Sequence, residues 1–162
     1  MSFQIWIKTE KSLQQLATEM CTCFSLPPFH QNQDTCSDEP YYQFEILGLL
    51  ILLHPADEIR DPEVLHYAYC FDLQMAFTDH QLDTDAAEYQ LQPYYAQLLS
   101  FRLGVDTAHH EKQKENALWK IRYRFYSKNP HWDGTILYGE EGWKPAVIEN
   151  PGSRWRSMHQ LL

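Results

Sequence analysis

The sequence predicts an α+β fold, a mainly antiparallel sheet of about five strands with one or two helices packed on one face. Residues 63–78 and 119–126 each alternate apolar and polar side chains with a period of two, which is typical of strands with one buried face. Residues 13–24 instead carry apolar side chains at three- and four-residue spacing, the pattern of a helix lying on a sheet. A chain of 162 residues, 44% hydrophobic, is predicted to form a single globular domain over residues 1–162.

The N-terminal part is predicted to form a strand, a helix and a long loop. FQIWIK (3–8) alternates Phe3, Ile5 and Ile7 with Trp6 and polar neighbours, which favours a strand. Thr9 is then expected to cap a helix that runs to about Phe24. Residues 25–40 carry three prolines and many small polar side chains, so they are predicted to be a loop.

The middle of the chain is predicted to form an antiparallel hairpin. Residues 41–54 form its first strand, with a bulge near Gly48 where the apolar phase slips. Residues 63–78 form the second strand, the clearest in the chain. Its apolar face is expected to place Tyr69, Phe71 and Leu73 in the core.

The C-terminal half is predicted to contain one helix and two strands. Pro93 is expected at the start of the helix and Gly104 at its end. The polar residues 106–116 are interpreted as a loop or a frayed extension of that helix. Residues 119–126 form a strand, residues 135–138 return as its partner, and the chain after them is mostly loop.

The charge is distributed unevenly along the chain. The formal net charge is -9, but residues 1–111 carry 4 Lys/Arg and 17 Asp/Glu, whereas residues 112–162 carry 9 and 5. Between Asp34 and Glu88 there are 13 acidic residues and a single basic one, Arg60. Such a surface repels phosphate backbones, so no nucleic-acid partner is predicted. Either the basic end of the chain covers this acidic part, or the acidic part binds a basic partner.

The basic residues of LWKIRYRFYSK (118–128) need an explanation in a chain this acidic. We predict that Lys120, Arg122 and Arg124 form a row on the solvent face of a strand. The candidates to pair with them from neighbouring strands are Asp72 and Glu45. A nucleic-acid platform is the alternative. The Arg154-Trp155-Arg156 tail has the same two interpretations, and we favour its docking on the acidic part of its own domain.

No metal site and no cofactor site is predicted. Cys21, Cys23, His30 and Cys36 have the ligand types that zinc prefers, but their spacing does not match paired C-x2-C knuckles. His109-His110-Glu111 likewise lacks the second histidine of H-E-x-x-H. Glycine-rich phosphate loops and nucleophile elbows are absent from the sequence.

A cysteine nucleophile at Cys70 is also not predicted. His66 and Asp72 lie on the same predicted strand face as Cys70. However, four residues along a strand span about 13 Å, and a catalytic pair requires hydrogen-bond distance. A histidine would have to come from a neighbouring strand.

The sequence predicts a soluble, cytoplasmic protein that does not enter membranes. The N-terminus lacks the pattern of a signal peptide. The longest apolar run, Ile46 to Leu53, is far shorter than the roughly 20 residues that a membrane helix requires. The four cysteines are therefore interpreted as free thiols.

The function predicted from these features is that of a non-enzymatic binding protein whose acidic surface clamps a basic protein partner. An immunity or inhibitor protein that neutralises a nuclease-like toxin would need such a surface. The alternative is a small enzyme with a histidine-centred site assembled across strands. Neither the partner's identity nor an oligomeric state is predicted. The predicted partner-binding residues are Asp57, Glu58, Asp61, Glu63, Asp83, Asp85 and Glu88.

Overall fold

The structure, a computed structural model, describes residues 3–33, 40–75, 83–115, 118–127 and 156–157. It confirms the α+β class. Within these residues, eight strands form one antiparallel sheet, in the order β2-β3-β4-β5-β1-β6-β7-β8, rather than the five predicted. The elements are β1 (Ile5–Lys8), α1 (Leu13–Phe24), β2 (His30–Gln33), β3 (Pro40–Ile46), β4 (Leu49–Pro55), β5 (Tyr69–Met75), α2 (Thr84–Leu103), β6 (Asp106–Glu115), β7 (Leu118–Tyr126) and β8 (Arg156–Ser157).

Two strands lie where one was predicted, in residues 41–54. Leu47 and Gly48 both have positive φ, 48° and 76°, and join β3 to β4 in a two-residue turn. Turns with two positive φ angles match the right-handed twist of paired strands. The slip of apolar phase near Gly48 therefore marks a hairpin turn and not a bulge. The predicted pairing with the next strand is confirmed for β4, which pairs antiparallel with β5.

The predicted long strand at 63–78 is shorter in the structure. β5 begins only at Tyr69, after a single 3-10 turn at Pro62–Val64. The predicted core face of the strand is confirmed, because Phe71 and Leu73 are buried and Tyr69 packs against them. Residues 76–78 lie outside the described part of the chain.

Both helices begin at other residues than predicted. Ser12, not Thr9, caps α1: its hydroxyl accepts from the Gln15 amide, and the Gln15 side chain accepts in return from the Ser12 amide. α2 begins at Thr84 after the cap residue Asp83, so Pro93 lies inside the helix. Proline has no N–H, and the Tyr89 carbonyl therefore lacks the usual donor four residues later.

Residues 106–116 were expected to be irregular, but Asp106–Glu115 forms β6, the longest of the described strands. Polar side chains conceal it, because no apolar alternation is visible there. The neighbouring strand β7 pairs antiparallel with β6, and its predicted strand character is confirmed. β2 lies within the predicted 25–40 loop. The predicted strand at 135–138 lies outside the described residues.

The two faces of the sheet have different coverings. α1 and α2 pack on the face of Ile5, Ile7 and Phe71 and form the main core there. Trp6 and Cys70 point to the opposite face, where Val64 and Tyr67 from the β4–β5 connection cover them. The prediction of helices on one face holds for both helices. No helix in the described residues has the length and apolar character needed to cross a membrane.

Candidate functional site

The connection between β4 and β5, residues 56–68, carries four of the seven predicted partner-binding residues; we call it the acidic loop. A hydrogen bond from the Ala56 amide to the Ala68 carbonyl, 2.9 Å long, closes its base. Asp57 and Glu58 are exposed. Asp61 and Glu63 are half-buried, and Asp61 accepts a 2.6 Å hydrogen bond from the Tyr123 hydroxyl of β7. The loop is thereby anchored to the sheet.

Arg60 holds the acidic loop together from inside. Its guanidinium donates to the Asp57 carbonyl and, over 2.9 Å, to the Leu65 carbonyl. Its positive charge therefore stays next to the loop backbone. Ile59, the residue before it, is 96% exposed. The loop thus presents an exposed apolar side chain directly after the exposed carboxylates of Asp57 and Glu58.

The other predicted partner-binding residues lie on α2, on the opposite side of the sheet from the acidic loop. Asp83 caps the helix, since its Oδ1 accepts from the Ala86 amide over 2.9 Å. Glu88 is 8% exposed, and its Oε1 accepts from the Met75 amide over 2.6 Å. Asp85, between them in the sequence, is exposed. The structure therefore does not bring the seven carboxylates together into one patch.

A histidine does lie opposite Cys70, but it is His54 of β4 and not His66, which is exposed in the acidic loop. His54 Nδ1 lies 2.8 Å from the Pro55 carbonyl, and its Nε2 lies 3.0 Å from Asp72 Oδ2. Both partners are acceptors, so only the imidazolium satisfies them. Burial opposes the charge, but the hydrogen bond and charge of Asp72 outweigh it and raise the pKa of His54.

The Cys70 thiol itself is not activated. Burial, and after it the charge of Asp72, raises its pKa well above the usual value. His54 cannot accept the thiol proton, because both of its ring nitrogens already face other acceptors. The arrangement of His54, Asp72 and Cys70 is therefore an ion pair beside a buried thiol, not a nucleophilic dyad.

Three of the four residues considered for zinc, Cys21, Cys23 and His30, lie in the described part of the structure. Cys21 Sγ lies 3.6 Å from the Pro27 carbonyl and Cys23 Sγ 3.8 Å from the Arg102 carbonyl, so each thiol has its own backbone partner. Cys36 lies outside the described residues. Within the described residues, no group of three or more ligand side chains could hold a metal ion.

The basic residues of β7 pair across strands, as predicted, but with a different partner. Glu111 of β6 receives Arg122 Nη2 on one oxygen and Arg124 Nε on the other, each at 2.6 Å. Asp72 and Glu45 were the wrong candidates, because β5 and β3 are not next to β7 in the sheet. The two arginine side chains are only 22% and 29% exposed, so this is not a solvent face. The Lys120 side chain, residues 154–155 and the Arg156 side chain lie outside what the structure describes.

Two buried histidines precede Glu111. His109 stacks on the Tyr126 ring at 5.7 Å, with its Nε2 3.1 Å from the Tyr126 hydroxyl. Burial lowers the pKa of both His109 and His110 to about 4. Glu111 differs: although burial favours its neutral form, the two guanidiniums lower its pKa.

These residues line a cleft of about 330 Å³, which we call the histidine cleft. It lies beside α2, where β6 continues past the start of β1: Ile5 is opposite His109, and β6 extends six residues further, to Glu115. The Tyr89 hydroxyl accepts from the Lys112 amide on this stretch of β6. The lining residues are Tyr89, Gln90, Pro93, His109, His110, Glu111, Lys112 and Arg122.

Sequence reasoning missed the histidine cleft, since it tested His109-His110-Glu111 only as a metalloprotease motif. The cleft could have been predicted by pairing this segment antiparallel with the next strand, because that pairing places Glu111 beside Arg122 and Arg124. A second cavity, of about 220 Å³, is apolar and lies between the two helices and the β3–β4 turn.

No family model matches the chain, and neither does any curated protein or solved structure.

Proposed function

We propose that the chain is a non-enzymatic binding protein whose acidic loop clamps a basic protein partner. The class of protein that we propose is an immunity or inhibitor protein, which neutralises a nuclease-like toxin in the cytoplasm. The observation that carries the proposal is Ile59: it is 96% exposed, and exposed Asp57 and Glu58 precede it. Binding hot spots typically consist of a side chain that fills a pocket of the partner and is surrounded by polar contacts.

The acidic loop is held in one conformation before any partner arrives. The Arg60 contacts, the Ala56–Ala68 hydrogen bond and the Tyr123–Asp61 hydrogen bond fix it at three places. Loop ordering is one of the larger entropic costs of association, and it is reduced when the free loop is already ordered. The loop is therefore suited to bind without rearrangement.

Charge supports a basic partner. The chain has a formal net charge of -9, and Arg60, the basic residue nearest Ile59, donates to carbonyl groups of its own loop. Exposed carboxylates attract a positively charged surface over a distance of about one Debye length and speed its encounter. If the partner is a toxin that cleaves nucleic acid, the carboxylates of the acidic loop would bind where the toxin holds the phosphates of its substrate.

The test is affinity capture from the native host followed by binding kinetics on the protein recovered. Asp57→Asn combined with Glu58→Gln should slow association, most strongly at low salt, because rim charges act mainly on encounter. Ile59→Ser should speed dissociation, by about tenfold or more if the side chain is a hot spot. The matched control is Glu10→Gln combined with Glu45→Gln, which removes the same charge at other exposed positions. If the control slows association as much as the loop variant does, the acidic loop is not the site.

A small enzyme with a histidine-centred site remains the second candidate, and the histidine cleft is the observation that favours it. There His109 and Glu111 of β6 meet Arg122 of the neighbouring strand β7. A small metabolite retained by the purified protein, together with no protein captured from the host, would favour this candidate over the first.

A further inference from the structure

We propose that the histidine cleft binds a small oxyanion, the carboxylate or phosphate group of a small molecule, through a hydrogen bond from His110 and the charges of Lys112 and Arg122. This inference does not depend on a partner of the acidic loop, since the residues that line the cleft belong to α2, β6 and β7. The loop reaches the same region only through Asp61, which accepts from the Tyr123 hydroxyl, and Tyr123 packs against His110.

The first observation is that His110 is buried without a hydrogen-bond partner. The residue is 7% exposed, and neither ring nitrogen has a partner among the described residues. Buried polar side chains in proteins are nearly always hydrogen-bonded, and the exceptions need an explanation. A neutral imidazole has one N–H donor. An oxyanion in the cleft supplies the acceptor that the protein does not.

The ring of His110 is held in place by its aromatic neighbours. The ring centroids of Trp6, Tyr89 and Tyr123 lie 5.4, 6.4 and 6.4 Å from that of His110. These residues come from β1, α2 and β7, so three elements fix the ring. A donor with a fixed position binds a ligand with little further ordering.

The second observation is the sign of the charge around the cleft. Of the charged side chains that line the cleft, Lys112 and Arg122 are positive and Glu111 is negative. Glu111 is in turn bound by two guanidiniums, those of Arg122 and Arg124. The carboxylate of Glu88, the residue before Tyr89 on α2, accepts from the Met75 amide of β5. A positive cleft in a chain of formal net charge -9 concentrates small anions locally.

The size of the cleft indicates a small ligand. About 330 Å³ lies at the lower end of the roughly 300–1,000 Å³ that small-molecule sites occupy. Tyr89 and Pro93 supply an apolar wall against which the carbon skeleton of a ligand can pack. A metabolite with a single carboxylate or phosphate fits this combination of donor, charge and wall.

Anion binding should be linked to proton uptake by His110. An anion beside the ring favours the imidazolium, so it raises the pKa of His110 above its value of about 4 in the free protein, and the affinity should increase as the pH falls toward about 4. The titratable or charged groups on the elements around the ring are His109, Glu111 and Lys112 of β6, Arg122 and Tyr123 of β7, Tyr89 and Glu88 of α2, and Asp61 of the acidic loop.

The experiment is a titration of the intact protein with sodium phosphate, and separately with sodium benzoate, at constant ionic strength. The readout is the NMR signals of the histidine ring nitrogens. We expect the His110 signals to shift saturably, with a Kd of about 1 mM or tighter, while those of exposed His66 stay in place. Saturation by phosphate alone assigns the ligand as a phosphate, and saturation by benzoate alone as an organic carboxylate. If neither probe moves His110, the proposal is wrong.

Three variants test the contacts. His110→Phe retains a ring against Trp6 but removes the nitrogens, and it should weaken binding about tenfold, as expected for one charge-assisted hydrogen bond. Lys112→Gln should weaken binding more than Lys8→Gln, which removes the same charge from an exposed position on β1. Equal weakening by the two lysine variants would show diffuse attraction instead of a site and would overturn the proposal. This comparison stands even if His110→Phe does not fold.

Discussion

At the scale of single residues, the histidines respond to burial in opposite ways because their partners differ. His54 faces two acceptors, and the Asp72 carboxylate holds its proton against the effect of burial. His109 and His110 face no carboxylate that outweighs burial, and both stay neutral near pH 7. Identical side chains thus favour the charged form at one place in the sheet and the neutral form at another.

The first prediction is a stability maximum that these histidines place near pH 6.5. His54 has a raised pKa, so its contribution is complete below 6.5 and is lost as the pH rises through the folded-state value. His109 and His110 have lowered pKa values, so their contributions are lost as the pH falls from 6.5 toward about 4.

Urea unfolding between pH 4 and 9 measures this profile. His54→Gln should flatten the alkaline side and leave the acid side unchanged, whereas the same substitution at exposed His66 should change neither. An alkaline side that is equally steep in His54→Gln would contradict the assignment.

Prediction from sequence worked for residues whose environment depends on local periodicity and failed for those defined by distant partners. Phe71 and Leu73 were placed in the core correctly, since alternation alone determines which face they share. Glu111 could not be assigned to Arg122 and Arg124, because that pairing depends on strand order. His54 was not considered as the partner of Cys70 or Asp72 for the same reason.

At the scale of elements, the secondary-structure predictions were wrong where polar residues form a helix or a strand. α2 begins nine residues before Pro93, in an acidic stretch that resembles a loop. β6 has no apolar alternation, yet it is central in the sheet, because Thr107, His109 and Glu111 find hydrogen-bond or ionic partners on α2 and β7. Tertiary contacts decided both elements, and hydrophobic patterns do not record such contacts.

The second prediction tests the start of α2. Asp83→Ala removes the cap of the first turn and should lower the free energy of unfolding by about 1 kcal/mol. Asp85→Ala, two residues later and exposed, should change it by less than about half of that.

Chemical denaturation of the two variants and the wild type measures the difference. A lower free energy of unfolding in Asp83→Ala, with unchanged partner binding, would show that this carboxylate stabilises the helix and does not contact the partner. Equal stability of the two variants would mean that the helix does not depend on the cap.

At the scale of the whole molecule, the fold separates the charges that the sequence places close together. The exposed carboxylates of the acidic loop lie on one side of the sheet, while Arg122 and Arg124 lie on the other and are bound to Glu111. Within the described residues, two arginines of β7 therefore neutralise a carboxylate of the neighbouring strand and lie on the opposite side of the sheet from the acidic loop.

The third prediction is that the protein does not bind nucleic acid, even under conditions that strengthen weak electrostatic contacts. A nucleic-acid site needs cations that are free to neutralise phosphates and displace counterions. Arg122 and Arg124 are half-buried and share one carboxylate, and the formal net charge of -9 repels a polyanion as it approaches. The histidine cleft is compatible with this prediction, because a small anion can enter a space that a nucleic-acid backbone cannot.

Fluorescence anisotropy of a labelled single strand and a labelled duplex, at about 50 mM salt, checks this prediction. We expect no saturable binding at micromolar protein concentrations. The control for a positive signal is the Lys120/Arg122/Arg124→Gln variant, with its fold verified by circular dichroism. Micromolar binding that this variant loses, and that falls steeply with added salt, would make the basic strand a nucleic-acid platform. In that case the Glu111 ion pairs would have to open on binding, because their two guanidiniums would be the groups that contact the phosphates.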